Sequence, residues 1–387
     1  MMRLFRTWCI LWCLPMVLHA QYIFKEVAID PYTKLHQVEH QGRTGTCWSF
    51  ATASFLESEI YRMHGIAVDL SEMYFVYHTY LDKARNYVLR QGKTQFGEGS
   101  LAHDALRVLD QKGLLPEYAY SGLRPGDSGY DHNALFHTLS GAVSGVVRSA
   151  RLKGYYLDAV RGILDAYLDP PPKTFRLPHH YRVGDVEGRS DSLWTTPLQW
   201  KEMLGLRGAD YVHLSSFTHH PFYSYFVLEV PDNWSSGRYF NLPLDDLVEV
   251  AKAALKEGYT LIWDGDVSEP GFNADKGLAI LPANPNDSIA WSRPSAEVRV
   301  SQRLRQHLFE TLQTTDDHLM HIVGLVEDQR GTSYFLIKNS WGERGPYRGY
   351  LYMSEAYFKA KTISITLHRN ALPSDLRDKM QLGKAGD

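Results

Sequence analysis

Apolar positions in the first third of the chain recur at helical spacing. Trp48, Ala51, Phe55 and Ile60 mark one face of a helix over Trp48 to Arg62, with Thr46 as a cap-like residue before it. Ser71 is placed to cap a second helix that starts at Glu72, and Ser100 to Lys112 predicts a third, ended by Gly113. Between about 122 and 243 the pattern loosens, with Gly126 to Gly129 and Pro170-Pro171-Pro172 as loop punctuation. Helices are expected there at Leu152 to Leu168 and Leu198 to Leu204, and an amphipathic one at Leu244 to Lys256, closed by Gly258. The period then changes. Tyr259 to Trp263, His321 to Val326, Tyr334 to Lys338, Gly349 to Met353 and Thr362 to Leu367 read as strands, and Gln329 to Thr332 as a hairpin turn. Helices first and strands later predict an α+β protein with segregated layers.

The first 20 residues stand apart from this pattern. Arg3 and Arg6 precede an apolar run to Leu18, and His19-Ala20 gives way to a polar stretch, which predicts a secretory signal peptide cleaved after Ala20. The apolar run is too short to span a bilayer as a helix, so no membrane span is expected after cleavage and the protein is expected to be exported, to the periplasm or the medium. Cleavage removes Cys9 and Cys13 and leaves Cys47 as the single thiol. An exported chain that keeps one cysteine unpaired points to a thiol used as a reagent. The remainder, within 387 residues that are 44% hydrophobic and 22% charged, has the composition of a globular protein, and a formal net charge of -3 with no basic block excludes electrostatic recruitment of nucleic acid.

Cys47 is expected at the N-terminus of its helix, where the macrodipole and free N–H groups favour a thiolate. A thiol needs a base. His321, at the head of a predicted strand, is the candidate, and Asn339 can hold its far ring nitrogen. Gln41, six positions before Cys47, can supply an oxyanion donor together with the Cys47 backbone N–H. Trp341 can shield the His321–Asn339 bond from water.

Gln41-Gly42-Arg43-Thr44-Gly45-Thr46-Cys47-Trp48-Ser49-Phe50, Leu70-Ser71-Glu72, Asn339-Ser340-Trp341-Gly342 and Gly349-Tyr350 together resemble the motif blocks of the papain superfamily. With His321 standing 274 positions after Cys47, and with Thr196 to Trp200, Tyr239 to Leu242 and Gly258 to Leu281, the chain resembles the bleomycin hydrolase and aminopeptidase C branch. The resemblance implies a two-lobed papain-like fold, with a helical left lobe and an antiparallel β right lobe at about 258–370 inside a 21–387 domain, and an insertion at about 122–243. It implies a cysteine peptidase, an aminopeptidase more than an endopeptidase, acting on peptide substrates without a cofactor. Cys47 would be the nucleophile, His321 the base, Asn339 the orienter and Gln41 the oxyanion donor, with Trp48 and Trp341 in support. Gly99-Ser100 stands at the place of the glycine pair that lines the substrate cleft. Thr44 replaces the superfamily's cysteine, so its disulfide is absent. That branch contains hexamers whose C-terminal arm enters the cleft, which leaves a homo-oligomer and the path of the tail after Pro373 open.

Weaker features compete with these. His318 is the rival base. His179-His180 and His219-His220 have no acidic or cysteine partner at zinc-site spacing, so solvated histidines are favoured over a metal site. Asp264 and Asp266 form either a strand-end turn or an acidic patch that selects basic or amino-terminal groups. A non-catalytic binding or assembly protein on the same fold is the alternative function.

Overall fold

The computed structural model describes residues 21–149, 154–183 and 192–382. The expected signal segment lies outside these residues. Chain order runs β1 (Phe24–Ile29), α1 (Cys47–His64), α2 (Glu72–Leu89), α3 (Ala102–Lys112), α4 (Asn133–Arg148), α5 (Tyr156–Leu168), β2 (Phe175–Pro178), β3 (Ser192–Thr195), α6 (Pro197–Met203), β4 (Tyr211–Ser215), β5 (Ser224–Val227), β6 (Arg238–Asn241) and α7 (Leu244–Lys256). Then follow β7 (Leu261–Gly265), β8 (Phe272–Asn273), β9 (Leu278–Ala279), α8 (Gln302–Glu310), β10 (His318–Asp328), β11 (Ser333–Lys338), β12 (Tyr350–Ser354), α9 (Glu355–Lys361), β13 (Thr362–His368) and α10 (Ser374–Lys379).

Local chemistry sets the helix ends. Ser71 caps α2 by accepting from the Tyr74 N–H, and Gly65 closes α1 in the left-handed region at φ +66°. Thr196 and Gln199 form a capping box, with Pro197 at the first position of α6.

Two cores result. Trp48, Phe55, Ile60, Met73, Leu106 and Leu109 anchor the helical core, which α4 and α5 join through Leu135, Leu139, Val143, Val160 and Leu164. The second core lies between α7 and the sheet, around Leu247, Trp263, Met320, Ile337 and Ile365. The sheet runs β5-β6-β4-β13-β7-β10-β11-β12-β9-β8, with β1 added on β10. β7 pairs the first half of β10, and β1 the second half. Helix α1 crosses β10, so the two lobes meet along that strand.

The structure departs from the sequence expectation in the middle of the chain. The stretch expected to be helix and loop up to residue 243 ends in three strands, β4 to β6, and β4 pairs with β13. The insertion therefore completes both lobes instead of forming a unit of its own. The tail also has a clear course as far as it is described. Leu376 and Met380 are buried in the β-lobe core, and the Lys379 ammonium lies over the Tyr223 ring. Most consequential is β10, which begins at His318, three residues before the expected start.

Candidate active site

Cys47 is the first residue of α1, where the leading N–H groups have no partner within the helix. The residue is 8% exposed, and its sulfur receives the backbone N–H of Leu319, the second residue of β10. Cys47 of the helical lobe is thus tied to the strand of the β lobe.

The histidine that stands at the orienting amide is His318. Its Nε2–H donates to Asn339 Oδ1 at 2.8 Å. That oxygen also accepts from the Ser340 N–H at 2.8 Å, which identifies it as the carbonyl side of the amide. The bond places the ring proton on Nε2 and leaves Nδ1 as a lone-pair base. Trp341 covers the ring at a centroid distance of 4.9 Å, and Phe272 meets Trp341 edge-on.

The contact expected between His321 and Asn339 is therefore made by His318 instead. Successive strand residues alternate faces, so two histidines three apart point in opposite directions. His321 faces α1, where its Nδ1 lies 3.0 Å from Ser54 Oγ, its ring meets Phe55 edge-on, and its Nε2 has no partner. Around it lie Glu39, Glu57, Glu72 and Lys338, at a cavity of about 10 Å³ between the lobes, the size of one water. Burial, then Lys338, holds the His321 ring well below the usual histidine range.

Gln41 is fixed from both ends of its side chain. Oε1 accepts from Ser340 Oγ at 2.6 Å, and Nε2 donates one hydrogen to Thr44 O at 2.7 Å. The second amide hydrogen remains for a ligand. Thr44 closes this loop where a disulfide is absent, its hydroxyl donating to Gln41 O at 2.8 Å. Gly42 is needed here, because it has φ +66° and a Cβ would come within 2.2 Å of Tyr130 O. Trp48 is fully buried and donates through Nε1 to Glu98 O at 3.1 Å, and Glu98 Oε2 accepts from the Gly45 N–H at 2.6 Å.

Gly99 and Ser100 fall differently from expectation. Ser100 is buried, and its hydroxyl donates to Asp104 at 2.6 Å and accepts from Trp234 Nε1 at 2.8 Å, so it does not line an open cleft. Gly99 accepts from the Lys83 ammonium through its carbonyl, and the Asp232 carboxylate lies against it.

The remaining candidates separate. Asp266 ends its strand in a turn, accepting from Ser268 N at 3.0 Å, with Lys361 3.5 Å away. Asp264 is not part of that group and faces Asp316. The pair His219-His220 acquires the acidic partner that its spacing did not reveal. Glu229 accepts from both rings, at 3.2 and 2.6 Å. Gln306 donates to His219 Nδ1 at 2.9 Å while its own oxygen accepts the Thr218 N–H, so the hydrogen of His219 is on the nitrogen that faces Glu229. That nitrogen is not a free metal ligand in this tautomer.

Burial pushes the Cys47 thiol up to about 12, with Asp232, Asp316 and Asp264 adding to the rise and the Leu319 N–H opposing it. Burial pushes His318 down to about 4, and Asn339 and Asp317 oppose that. Both shifts penalise a lone charge in this enclosed place. Burial therefore opposes single ionisation of either group, whereas a proton moved from a thiol to an imidazole would leave no net charge.

A profile of the family described as "Peptidase C1-like family" matches residues 144–384, and one described as "Papain family cysteine protease" matches residues 27–134. The chain is similar to Aminopeptidase G of Lactobacillus delbrueckii subsp. lactis, at 22% identity over 88% of this chain and 83% of that protein. It is similar to Aminopeptidase C of Streptococcus thermophilus at 24% identity, over 88% of this chain and 82% of that one. In three dimensions it resembles the crystal structure of PepW from Lactobacillus rhamnosis HN001, with a TM-score of 0.70 at 16% identity, over 92% of this chain and 84% of that chain.

Proposed function

The chain belongs to the Peptidase C1-like family, and on that premise we propose that it is an exported aminopeptidase in which Cys47, His318, Asn339 and Gln41 carry the reaction. Membership makes it a papain-type cysteine peptidase. The aminopeptidase reading is supported by relatives of that name that match over most of their length. One observation carries the residue assignment. Asn339 holds the His318 ring by Nε2 at 2.8 Å, while the next residue's N–H reaches the Cys47 sulfur.

The chemistry follows from those positions. As Cys47 Sγ attacks the scissile carbonyl carbon, its proton passes to His318 Nδ1, and the carbonyl electrons become an oxyanion between the free Gln41 Nε2–H and the Cys47 N–H. The C–N bond breaks, and the amine leaves with the proton from His318. Water then adds to the thioester carbon, giving its proton to the same nitrogen, and the C–S bond breaks to release the carboxylic acid and restore the thiol. Asn339 and Trp341 keep the ring in one tautomer throughout.

The alternative of a non-catalytic binding protein predicts that one of these groups is missing, and all four residues are present in the sequence. The test is hydrolysis of peptide amides followed by titration with iodoacetamide. One equivalent on Cys47 should abolish cleavage, and a labelled protein that still cleaves would refute the assignment. Export rests on the pattern of residues 1–20 and is checked by N-terminal sequencing of the protein made in its own cells. A first residue at Gln21 is expected, and Met1 retained overturns it.

A further inference from the structure

Two carboxyl groups beside the nucleophile have no part in the reaction just described. Asp264 pairs with Leu319 across the sheet, the residue whose N–H meets the Cys47 sulfur. Asp316 lies two positions before His318. The two side chains are within hydrogen-bonding reach of each other, and both act electrostatically on the Cys47 thiol.

Asp264 is 2% exposed. Its Oδ2 accepts from Ser364 Oγ at 3.1 Å, while Oδ1 and Asp316 Oδ2 have no hydrogen-bond partner beyond what the two carboxyls offer each other. Other acids in and near this part of the molecule are matched. Asp104 has Arg107 at 2.7 Å, Asp266 has Lys361, and Asp232 has Gln95 Nε2 at 3.0 Å with Lys83 nearby. No such cation serves Asp264 or Asp316 among the described residues. Two buried carboxyls held together with no cation beside them leave a place that suits a positive hydrogen-bond donor.

A second feature closes this place off. The segment from Asp232 to Trp234 crosses from one lobe to the other. The Asp232 N–H points at the Asp316 carboxyl. Its own carboxylate lies so close to Gly99 that a Cβ there would come within 1.9 Å of Oδ2. Trp234 is pinned to Ser100, and the Asn233 amide bonds Leu228 O and both polar backbone groups of Gly237. A fixed strap therefore links the two lobes beside Gly99, and its Asp232 reaches Asp316 while Asp232, Asp316 and Asp264 all act on the Cys47 thiol. An extended chain running through would meet the strap, whereas a chain that ends there would bring its charge to the acids.

We propose that Asp264 and Asp316, beside the Asp232 strap, form a cation subsite that receives an ammonium group on the amino-terminal side of the scissile bond and so determines which peptides are cut. This rests on the peptidase reading above. The ammonium is either the free α-amino terminus or a lysine side chain next to the cleavage point.

The experiment compares kcat/KM for a neutral peptide amide with a free amino terminus, the same amide N-acetylated, and an N-acetylated amide carrying lysine before the scissile bond. It uses the wild-type chain, Asp264→Asn and Asp316→Asn, with iodoacetamide incorporation at Cys47 read in parallel. Wild type is expected to prefer the free amine over its acetylated form by about 10²-fold, and each variant to lose most of that preference through KM while Cys47 still alkylates. A loss confined to the acetylated lysine substrate supports the subsite and assigns it to a side chain. Unchanged ratios for all three substrates in alkylatable variants overturn the subsite and leave the peptidase standing. Wild type that neither cleaves nor alkylates overturns both. Wild-type inhibition constants check the same point should the variants not fold. Leucinamide or N-acetyl-lysinamide should inhibit about tenfold more tightly than N-acetyl-leucinamide, according to which ammonium the subsite takes, and equal inhibition by all three overturns the proposal.

Discussion

His318→Ala lowers kcat/KM by on the order of 10⁴-fold, while His321→Ala leaves the residual chemistry within about tenfold of wild type. The two residues are of one type, three positions apart on one strand, and both buried. What differs is the partner. Removing His318 removes the proposed proton acceptor for Cys47, the donor to Asn339 and the surface under Trp341 together. Removing His321 takes a ring from Ser54 and Phe55 between the lobes, which acts on stability. Truncating a buried ring of this kind costs about 2–4 kcal/mol. The expected signature is read in the rate: both truncations lower the melting temperature, but His318→Ala loses kcat while His321→Ala retains it. Measured as kcat/KM and Tm on the same preparations, the reverse pattern would return the catalytic role to His321.

That the sequence pointed to His321 and the geometry to His318 has a physical cause. The loop block from Gln41 to Cys47, the Ser71 cap and the Asn339 to Gly342 block carry their information in residue types at fixed short spacings, and the structure brings those blocks together. The choice between His318 and His321 depends on where β10 starts and which face each position takes. Polar Thr314 to Asp317 precede the strand, and its first residue projects into a polar site, so the apolar run gives no marker for that boundary. A three-residue error in the boundary then reverses the face. Other gaps have different causes. Helix α4 does carry apolar positions at Leu135, Leu139 and Val143, which could have been read. Helix α8 could not, because what it buries is Arg305 and Gln306, held by Ser216 O and Thr218 N. The meeting of Asp264 with Asp316 was likewise not visible, since it depends on the pairing of β7 with β10 and on no local pattern.

Cys47→Ala reduces turnover to the uncatalysed background while the fold is retained. The chemical half of that statement follows from covalent catalysis: without sulfur there is no thioester, and the oxyanion donors alone leave only a small residue of rate enhancement. The structural half follows from what the sulfur touches. Alanine is a better helix former at this position, keeps Cβ, and loses one Leu319 N–H contact at the rim of the helical core. The three carboxyls that raise the thiol also lose their neighbour, which removes a repulsion that exists only when the sulfur is charged. The net change in stability is therefore expected within about 1 kcal/mol, read as a shift in Tm of no more than a few degrees. Binding should survive as well, so the inert protein should still take a free-amino peptide amide, seen by calorimetry. Cleavage by Cys47→Ala at more than a trace of the wild-type rate would mean that some other group attacks the peptide, and the start of α1 would lose its role as the source of the nucleophile.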